Sequence, residues 1–223
     1  MSFQLQINKP NDNEFQKNKY SVVKNAINYE LANFCYNYFH MKRSVINYLY
    51  KTNYCPENDF CGTFTKDTMA PNTYCIYADG VFETLLMKVL PLMEKETGYK
   101  LYPTYTYARL YENGAVLPRH KDRESCEISC TMNLGGDVWP IFIDGTGESN
   151  RKGTKVELKP GDMLVYSGVE LEHWREKFEG KECGQVFLHY NKVDGPYNNV
   201  FDGRPMLGVP NADYNFTTST EGK

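Results

Sequence analysis

No CxxC pair occurs in this 223-residue chain, and its seven cysteines are odd in number. That argues against a disulfide framework and against a cysteine zinc site. A reducing, cytoplasmic compartment is the expectation. The opening "MSFQLQINKPNDNEF" lacks the basic, apolar, small-residue order of a leader. No apolar run approaches the roughly 18 residues of a membrane span, so no membrane role is expected. There is no G-x-S-x-G and no P-loop. Charge of either sign is not in excess: 25 Lys and Arg against 28 Asp and Glu give a net −3. Such a chain lacks the broad positive field of a nucleic-acid binder. Histidine is scarce too, at four residues.

What is present fits a globular chain. Hydrophobic residues make up 41% and charged residues 24%. The length allows one large domain, and residues 1–223 are read as one. Residues 1–19 are polar and Asn-rich, an arm or an edge strand. "YSVVKNAI" reads as a strand. Asn28 is placed to cap a helix with Glu30 in its first turn. Leu31, Phe34, Cys35, Tyr38, Phe39 and Met41 then recur at helical spacing, which predicts a core-facing helix. His40 lies in it and is read as structural.

Residues 51–80 carry Pro56, Gly62, Pro71 and Gly80 and read as a lid or binding loop. Tyr54, Tyr74 and Tyr77 are its candidate substrate contacts. A second helix is predicted from about Val81 to Thr97, with Pro91 expected to kink or break it and Gly98 to cap it. From Leu101 onward the texture is β. "YPTYTYARLY", "SCEISCTMNL", "WPIFI", "TKVEL", "DMLVYSG" and "GQVFLHY" are separated by Gly-rich and Pro-Gly turns. Helices first and short strands after give an α+β outline, with the strands in a sandwich or barrel. Residues 192–223 read as a loop-like tail.

One of the four histidines sits in "RHKDR", residues 119–123. In an extended segment His120 and Asp122 share a face, because side chains alternate with period 2. An imidazole and a carboxylate suit a divalent transition metal. Two His and one carboxylate, with open positions left, mark non-heme Fe(II) oxygenases. Two downstream histidines can complete the set. His173 lies just after "DMLVYSG", where a strand end opens into a barrel mouth. His189 lies inside "QVFLHY", where a packed core role is the more ordinary one. His173 is the expected third ligand.

At this point "YARLYENGAVLPRHKDRESCEISCTMNLGG" and "LKPGDMLVYSGVELEHWREKFEGKECGQVFLHY" resemble the catalytic core of the 2-oxoglutarate- and Fe(II)-dependent oxygenases. They are most similar to the prolyl 4-hydroxylase-like branch, over residues from about 100 to 191. The resemblance implies a double-stranded β-helix (jelly roll) core with N-terminal packing helices over 20–98. It implies His120, Asp122 and His173 as the iron ligands, and Fe(II), 2-oxoglutarate and molecular oxygen as cofactors, with ascorbate as an accessory. It also implies a cosubstrate-binding Tyr nine or ten residues before the first His, a position that Tyr111 fills. The cation that meets the distal carboxylate in the family stands about nine or ten residues after the second His. Glu182 and Cys183 occupy those positions here, so Lys181, Arg175 and Arg109 are the candidates left.

The implied activity is hydroxylation of a substrate C–H, with a prolyl residue of a peptide or protein as the first expectation. A small molecule such as a free amino acid is the second. A non-catalytic jelly-roll binding or structural protein is a third, from a different class. Trp174 and Tyr107 are candidate substrate contacts, and Trp139 is assigned to packing or to the rim. An Arg123–Glu127 ion pair is a candidate support for Asp122. Oligomeric state is not legible.

Overall fold

The computed structural model describes residues 13–65, 67, 69–71, 73–146 and 151–210. Residues 1–12, most of the expected N-terminal arm, and 211–223, the end of the tail, lie outside that set.

Among the described residues, three α-helices precede most of the strands. The first, α1, is a short turn at Glu14–Asn18. The second, α2, spans Tyr29–Lys51, and the Asn28 side chain accepts from the Leu31 amide at 2.9 Å, as a cap should. Its buried positions are Ala32, Cys35, Phe39 and Ile46. Phe34 and Met41, expected to face the core, point to solvent instead. The third, α3, runs Gly80–Thr97 and ends on Gly98 in the left-handed region, with φ 74°. Pro91 does not end it. Val89 and Met93, buried on either side, hold the helix to the core through the missing backbone bond.

Among the described residues, ten strands form two antiparallel sheets. They are β1 (Tyr20–Val23), β2 (Tyr74–Tyr77), β3 (Leu101–Glu112), β4 (Leu117–His120), β5 (Ile128–Gly136), β6 (Ile141–Asp144), β7 (Thr154–Val156), β8 (Met163–Ser167), β9 (Glu172–Arg175) and β10 (Glu182–Lys192). One sheet has the order β1-β8-β5-β10-β3-β2 and the other β4-β9-β6-β7. Most expected strands are here, and two were not separated in the sequence. "LPRH" is β4, and "EHWR" is a strand of its own, β9.

The large sheet has two buried faces. Ala108 and Leu110 of β3, Cys130 and Met132 of β5, Val165 of β8, and Val186 and Leu188 of β10 join one apolar cluster with residues of α2 and α3. The residues between them point the other way, toward the small sheet. There two smaller clusters form, around Trp139 and Phe178 and around Ile141, Leu164 and Tyr166. The candidate site lies between the sheets, beside these clusters.

The tail is less free than its composition suggested. Arg204 is buried and donates to Glu83 of α3 at 2.6 Å and to the Thr104 carbonyl at 2.8 Å. Asp202, at φ 57°, takes a two-pronged ion pair from Arg123 at 2.7 and 2.6 Å. Residues 193–210 are thus tied back to α3 and β3. Among the described residues no helix is long and apolar enough to cross a membrane.

Candidate functional site

Strand pairing builds the centre of the site. His120 at the end of β4 sits directly opposite His173 on β9. Their rings approach to 4.3 Å between centroids. Asp122 follows two residues after His120 and turns its carboxylate between them. Its Oδ1 is 3.7 Å from His120 Nε2 and 3.5 Å from His173 Nε2. The three donor atoms lie within 4.8 Å of one another.

The hydrogen bonds around them orient the lone pairs. His120 Nδ1 lies 2.7 Å from the Pro118 carbonyl, and His173 Nδ1 lies 3.2 Å from the Leu171 carbonyl. A carbonyl only accepts, so each Nδ1 carries the proton and each Nε2 presents a lone pair to the centre. The Asp122 amide donates to the Gly168 carbonyl at 2.9 Å. A Cβ on Gly168 would stand 2.5 Å from Asp122 Oδ2 and 2.3 Å from the Cys126 carbonyl, so only glycine leaves room for this carboxylate. Burial acts to raise the Asp122 pKa, but His173, His189 and His120 outweigh it and hold the carboxyl well below its usual range. Burial lowers the His120 pKa, and neighbouring His173 lowers it further. This is a set of imidazole and carboxylate donors in the form a divalent metal takes.

The expected Arg123–Glu127 pair does not form. Arg123 is taken by Asp202, and Glu127 by Lys192 at 2.8 Å. Ser129 on β5 supports Asp122 instead. Its Oγ is 3.2 Å from Asp122 Oδ2 and 2.8 Å from His189 Nδ1. A hydroxyl has one proton, so an Nδ1–H of His189 donating to Ser129 leaves Ser129 free to donate to Asp122. His189, read from sequence as a packed residue, thus lies one hydroxyl behind the carboxylate. It also lines the cavity, its ring 4.5 Å from that of Tyr105. Burial holds its pKa down at about 4, so it is neutral at neutral pH.

That cavity has a volume of about 190 Å³ and includes Tyr107, Arg109, Leu117, Tyr166 and Phe187 in its walls. Arg109 and Tyr107 are inside, because side chains two apart on β3 share a face. Both are engaged: Tyr107 donates to Asp67 Oδ2 at 3.0 Å, and Arg109 donates through Nε to the same oxygen. Burial works to lower the Arg109 pKa, but Tyr111 and Asp67 raise it above the usual value. Asp67 comes from the long loop, and nothing in the sequence singled it out. Tyr111 is fully buried behind the wall, its hydroxyl accepting from Arg109 Nη1 at 2.9 Å.

Arg175 shares the inward face of β9 with His173 and is 1% exposed. Its guanidinium donates to the Trp139 carbonyl, to Thr131 Oγ1 at 3.3 Å and to Gln185 Oε1 at 3.2 Å. Its Nε has no partner, and among the described residues no carboxylate pairs with it. Burial depresses its pKa accordingly. A buried cation without an anion is costly and uncommon. Cys183, at the position where the resemblance puts a cation, is also buried and faces the same interior from β10.

Other expectations are displaced. Lys181 is exposed and lies on a separate surface cleft with Tyr36, His40 and Arg43. Trp174 lies between His173 and Arg175, so strand alternation turns it away from the cavity. It stacks on Phe142 at 5.6 Å and under Arg119 at 4.3 Å. Trp139 is a packing residue, its Nε1 donating to the Glu176 carbonyl at 2.8 Å. Of the loop tyrosines, Tyr74 is in the core, Tyr77 donates to Asp202 at 2.5 Å, and Tyr54 is exposed.

No family model and no curated protein matches the sequence. Solved structures match the fold. A prolyl-4-hydroxylase from Pseudomonas putida aligns with a TM-score of 0.55, over 80% of this chain and 95% of its own, at 13% identity. The non-heme alpha-ketoglutarate-dependent epimerase SnoN, from nogalamycin biosynthesis, aligns at 0.59 over 80% of each chain, also at 13%. A prolyl hydroxylase from Trichoplax adhaerens, in complex with a hypoxia inducible factor oxygen degradation domain peptide, aligns at 0.53 over 81% of this chain and 86% of its own, at 13%. Two facing antiparallel sheets with helices packed on the larger one are thus the double-stranded β-helix fold that these oxygenases share.

Proposed function

We propose that the chain is a 2-oxoglutarate- and Fe(II)-dependent dioxygenase that hydroxylates a C–H bond, with a prolyl residue of a peptide or protein as its substrate. The observation that carries this reading is a pairing. Two imidazole lone pairs and an ionised carboxylate converge on one point, and a buried arginine with no anion stands two residues beyond one of them. A metal fits the first, and the guanidinium is the cation that a dicarboxylic acid held at the metal would meet at its other end.

His120, Asp122 and His173 would hold the iron and leave its remaining positions open. Iron, 2-oxoglutarate and oxygen together supply oxidation of the substrate C–H, with succinate and CO2 as co-products. The chain's own groups bind and orient. Arg175 would anchor the distal carboxylate of the cosubstrate, replacing the cation that β10 lacks at Cys183. Thr131 and Gln185 aim the guanidinium. Tyr111, held by Arg109, is the neighbouring hydroxyl. Apolar Leu117 and Phe187 limit water at the cavity wall.

A surface groove of about 500 Å³ supports a peptide over a free amino acid. It is lined by Met69–Pro71, Thr73 and residues 112–116 and 118, on the turn that leads from β3 into β4. The prolyl hydroxylases with this fold, one of them bound to a peptide, support the same choice.

The test is anaerobic. Fe(II) and 2-oxoglutarate added to the protein should give the weak visible absorption of a chelated iron complex, and His173→Ala should abolish it. Loss in His189→Ala with retention in His173→Ala would move the third ligand to His189. Succinate release stimulated by prolyl peptides is then expected. Release stimulated only by small molecules would overturn the substrate class and leave the chemistry standing.

A further inference from the structure

The outer face of α2 takes no part in the core or the site. Phe34 is 61% exposed, Met41 69%, Val45 50% and Tyr48 67%. The aromatic, methionine and tyrosine positions fall seven residues apart, which places them in one stripe along the helix. Glu30, Asn37, Ser44 and Lys51 are exposed and alternate with them. The whole row reads Glu30, Phe34, Asn37, Met41, Ser44, Tyr48, Lys51, in steps of four and three. It covers about 30 Å at 1.5 Å per residue.

The row is self-complementary about its midpoint. Met41 is central, aromatic Phe34 and Tyr48 stand seven residues to either side, and the small polar Asn37 and Ser44 stand four and three residues from it, an offset of one residue. An acid ends the row at one side and a base at the other. Neither Glu30 nor Lys51 has an ion-pair partner among the described residues. A two-fold axis through Met41 makes two such helices antiparallel. Each Phe34 then meets Tyr48 of the second copy, and each Glu30 falls one residue from Lys51 of the second copy, within reach of that long side chain. This is the pattern of an isologous contact, in which one patch pairs with itself. The flanking positions Asn33, Val45 and Asn47 bring no like charges together. The exposed parts of Phe34, Met41, Val45 and Tyr48, doubled across the axis, amount to roughly 1,000 Å² with their surroundings, the lower limit of specific interfaces.

We propose that the chain forms a two-fold dimer through an antiparallel pairing of α2, with Met41 on the axis. The opposite side of α2 packs on the outer face of the large sheet, so the cavity between the sheets stays open in the dimer. The inference does not depend on the proposed chemistry.

Sedimentation velocity on the full chain from 1 to 100 μM tests it. A concentration-dependent rise from 25.8 kDa to twice that mass is expected. Met41→Glu, at an exposed position, should keep the chain monomeric and leave the circular dichroism unchanged, with a Tm equal to that of the wild type at concentrations where the wild type is monomeric. Lys51→Glu sets two acids against each other and should raise the dissociation constant roughly fivefold. Adding Glu30→Lys should restore it. A wild type that is monomeric at 100 μM overturns the proposal, whether the stripe is bare or covered by another part of the chain. So does a dimer indifferent to Met41→Glu, or a charge swap that fails to restore affinity.

Discussion

On β10, Val186, Leu188 and Tyr190 point toward the helices, and Cys183, Gln185, Phe187 and His189 point between the sheets. Neighbouring strands repeat the contrast. On β3 it is Ala108 and Leu110 against Tyr107 and Arg109. On β5 it is Cys130 and Met132 against Ser129 and Thr131. Both faces are buried, so water exposure does not explain the difference. The helix-side face gains stability by apolar burial, about 1.5–3 kcal/mol for each large side chain. Polar groups on the inner face gain little by folding and lose hydration unless paired. Their collection there, with no carboxylate paired to Arg175 among the described residues, fits a face that receives a ligand.

The sharpest way to break that comparison is to strike each face and read both outputs. Removing a proposed ligand on the inner side, with His120→Ala or His173→Ala, should weaken divalent metal binding by more than about 100-fold, beyond what outer-shell changes cause. Calorimetric titration with Mn(II) measures it. Leu188→Ala on the helix side should cost about 2–5 kcal/mol in chemical denaturation and leave metal affinity as it was. If Leu188→Ala also lowered metal affinity, the two faces would not be separable.

Arg175→Met puts the contrast into one residue. Replacing a buried unpaired cation by an apolar side chain of similar length removes a desolvation cost. The protein without cosubstrate should be as stable as wild type or more stable, by about 1–4 kcal/mol. Binding of 2-oxoglutarate to the metal-loaded protein should fall roughly 100-fold, with metal affinity retained. A destabilised variant that still binds 2-oxoglutarate would show Arg175 to be a packing residue and leave the distal carboxylate to Arg109.

Much of this contrast could be read in the sequence, because it rests on local periods. Apolar alternation marked the strands, and i to i+2 spacing brought His120 and Asp122 to one face. The same parity, carried one step further, would have turned Trp174 outward once His173 was placed inward. Helical spacing was less exact. Leu31, Phe34, Cys35, Tyr38, Phe39 and Met41 cover more than one side of α2, and only the tertiary contact shows which side is buried. Pro91 was expected to kink or break its helix, and the helix runs through it, because local propensity cannot see the packing of Val89 and Met93. Arg175, Asp67 and Ser129 were hidden for a different reason. What matters about them is the absence or presence of a partner, and partners come from strands far apart in sequence. Arg175 meets Thr131 from β5 and Gln185 from β10, and Arg109 meets a carboxylate from the long loop.

The smallest expected effect concerns the link from His189 through Ser129 to Asp122. If the chain of donors runs in that direction, His189 acts on the metal only through the Ser129 hydroxyl. Ser129→Ala removes the hydrogen bond to Asp122 and should lower Mn(II) affinity about tenfold, the lower end of what outer-shell partners contribute. His189→Phe keeps the ring against Tyr105 but leaves Ser129 free to donate elsewhere, to the Cys126 carbonyl at 3.1 Å. It should lose somewhat less. The double variant should then be no weaker than Ser129→Ala alone, because the second change breaks a link already cut. Additive losses would mean that His189 reaches the metal by its own path. That result would give His189 a direct place at the centre and reopen which imidazole completes the set.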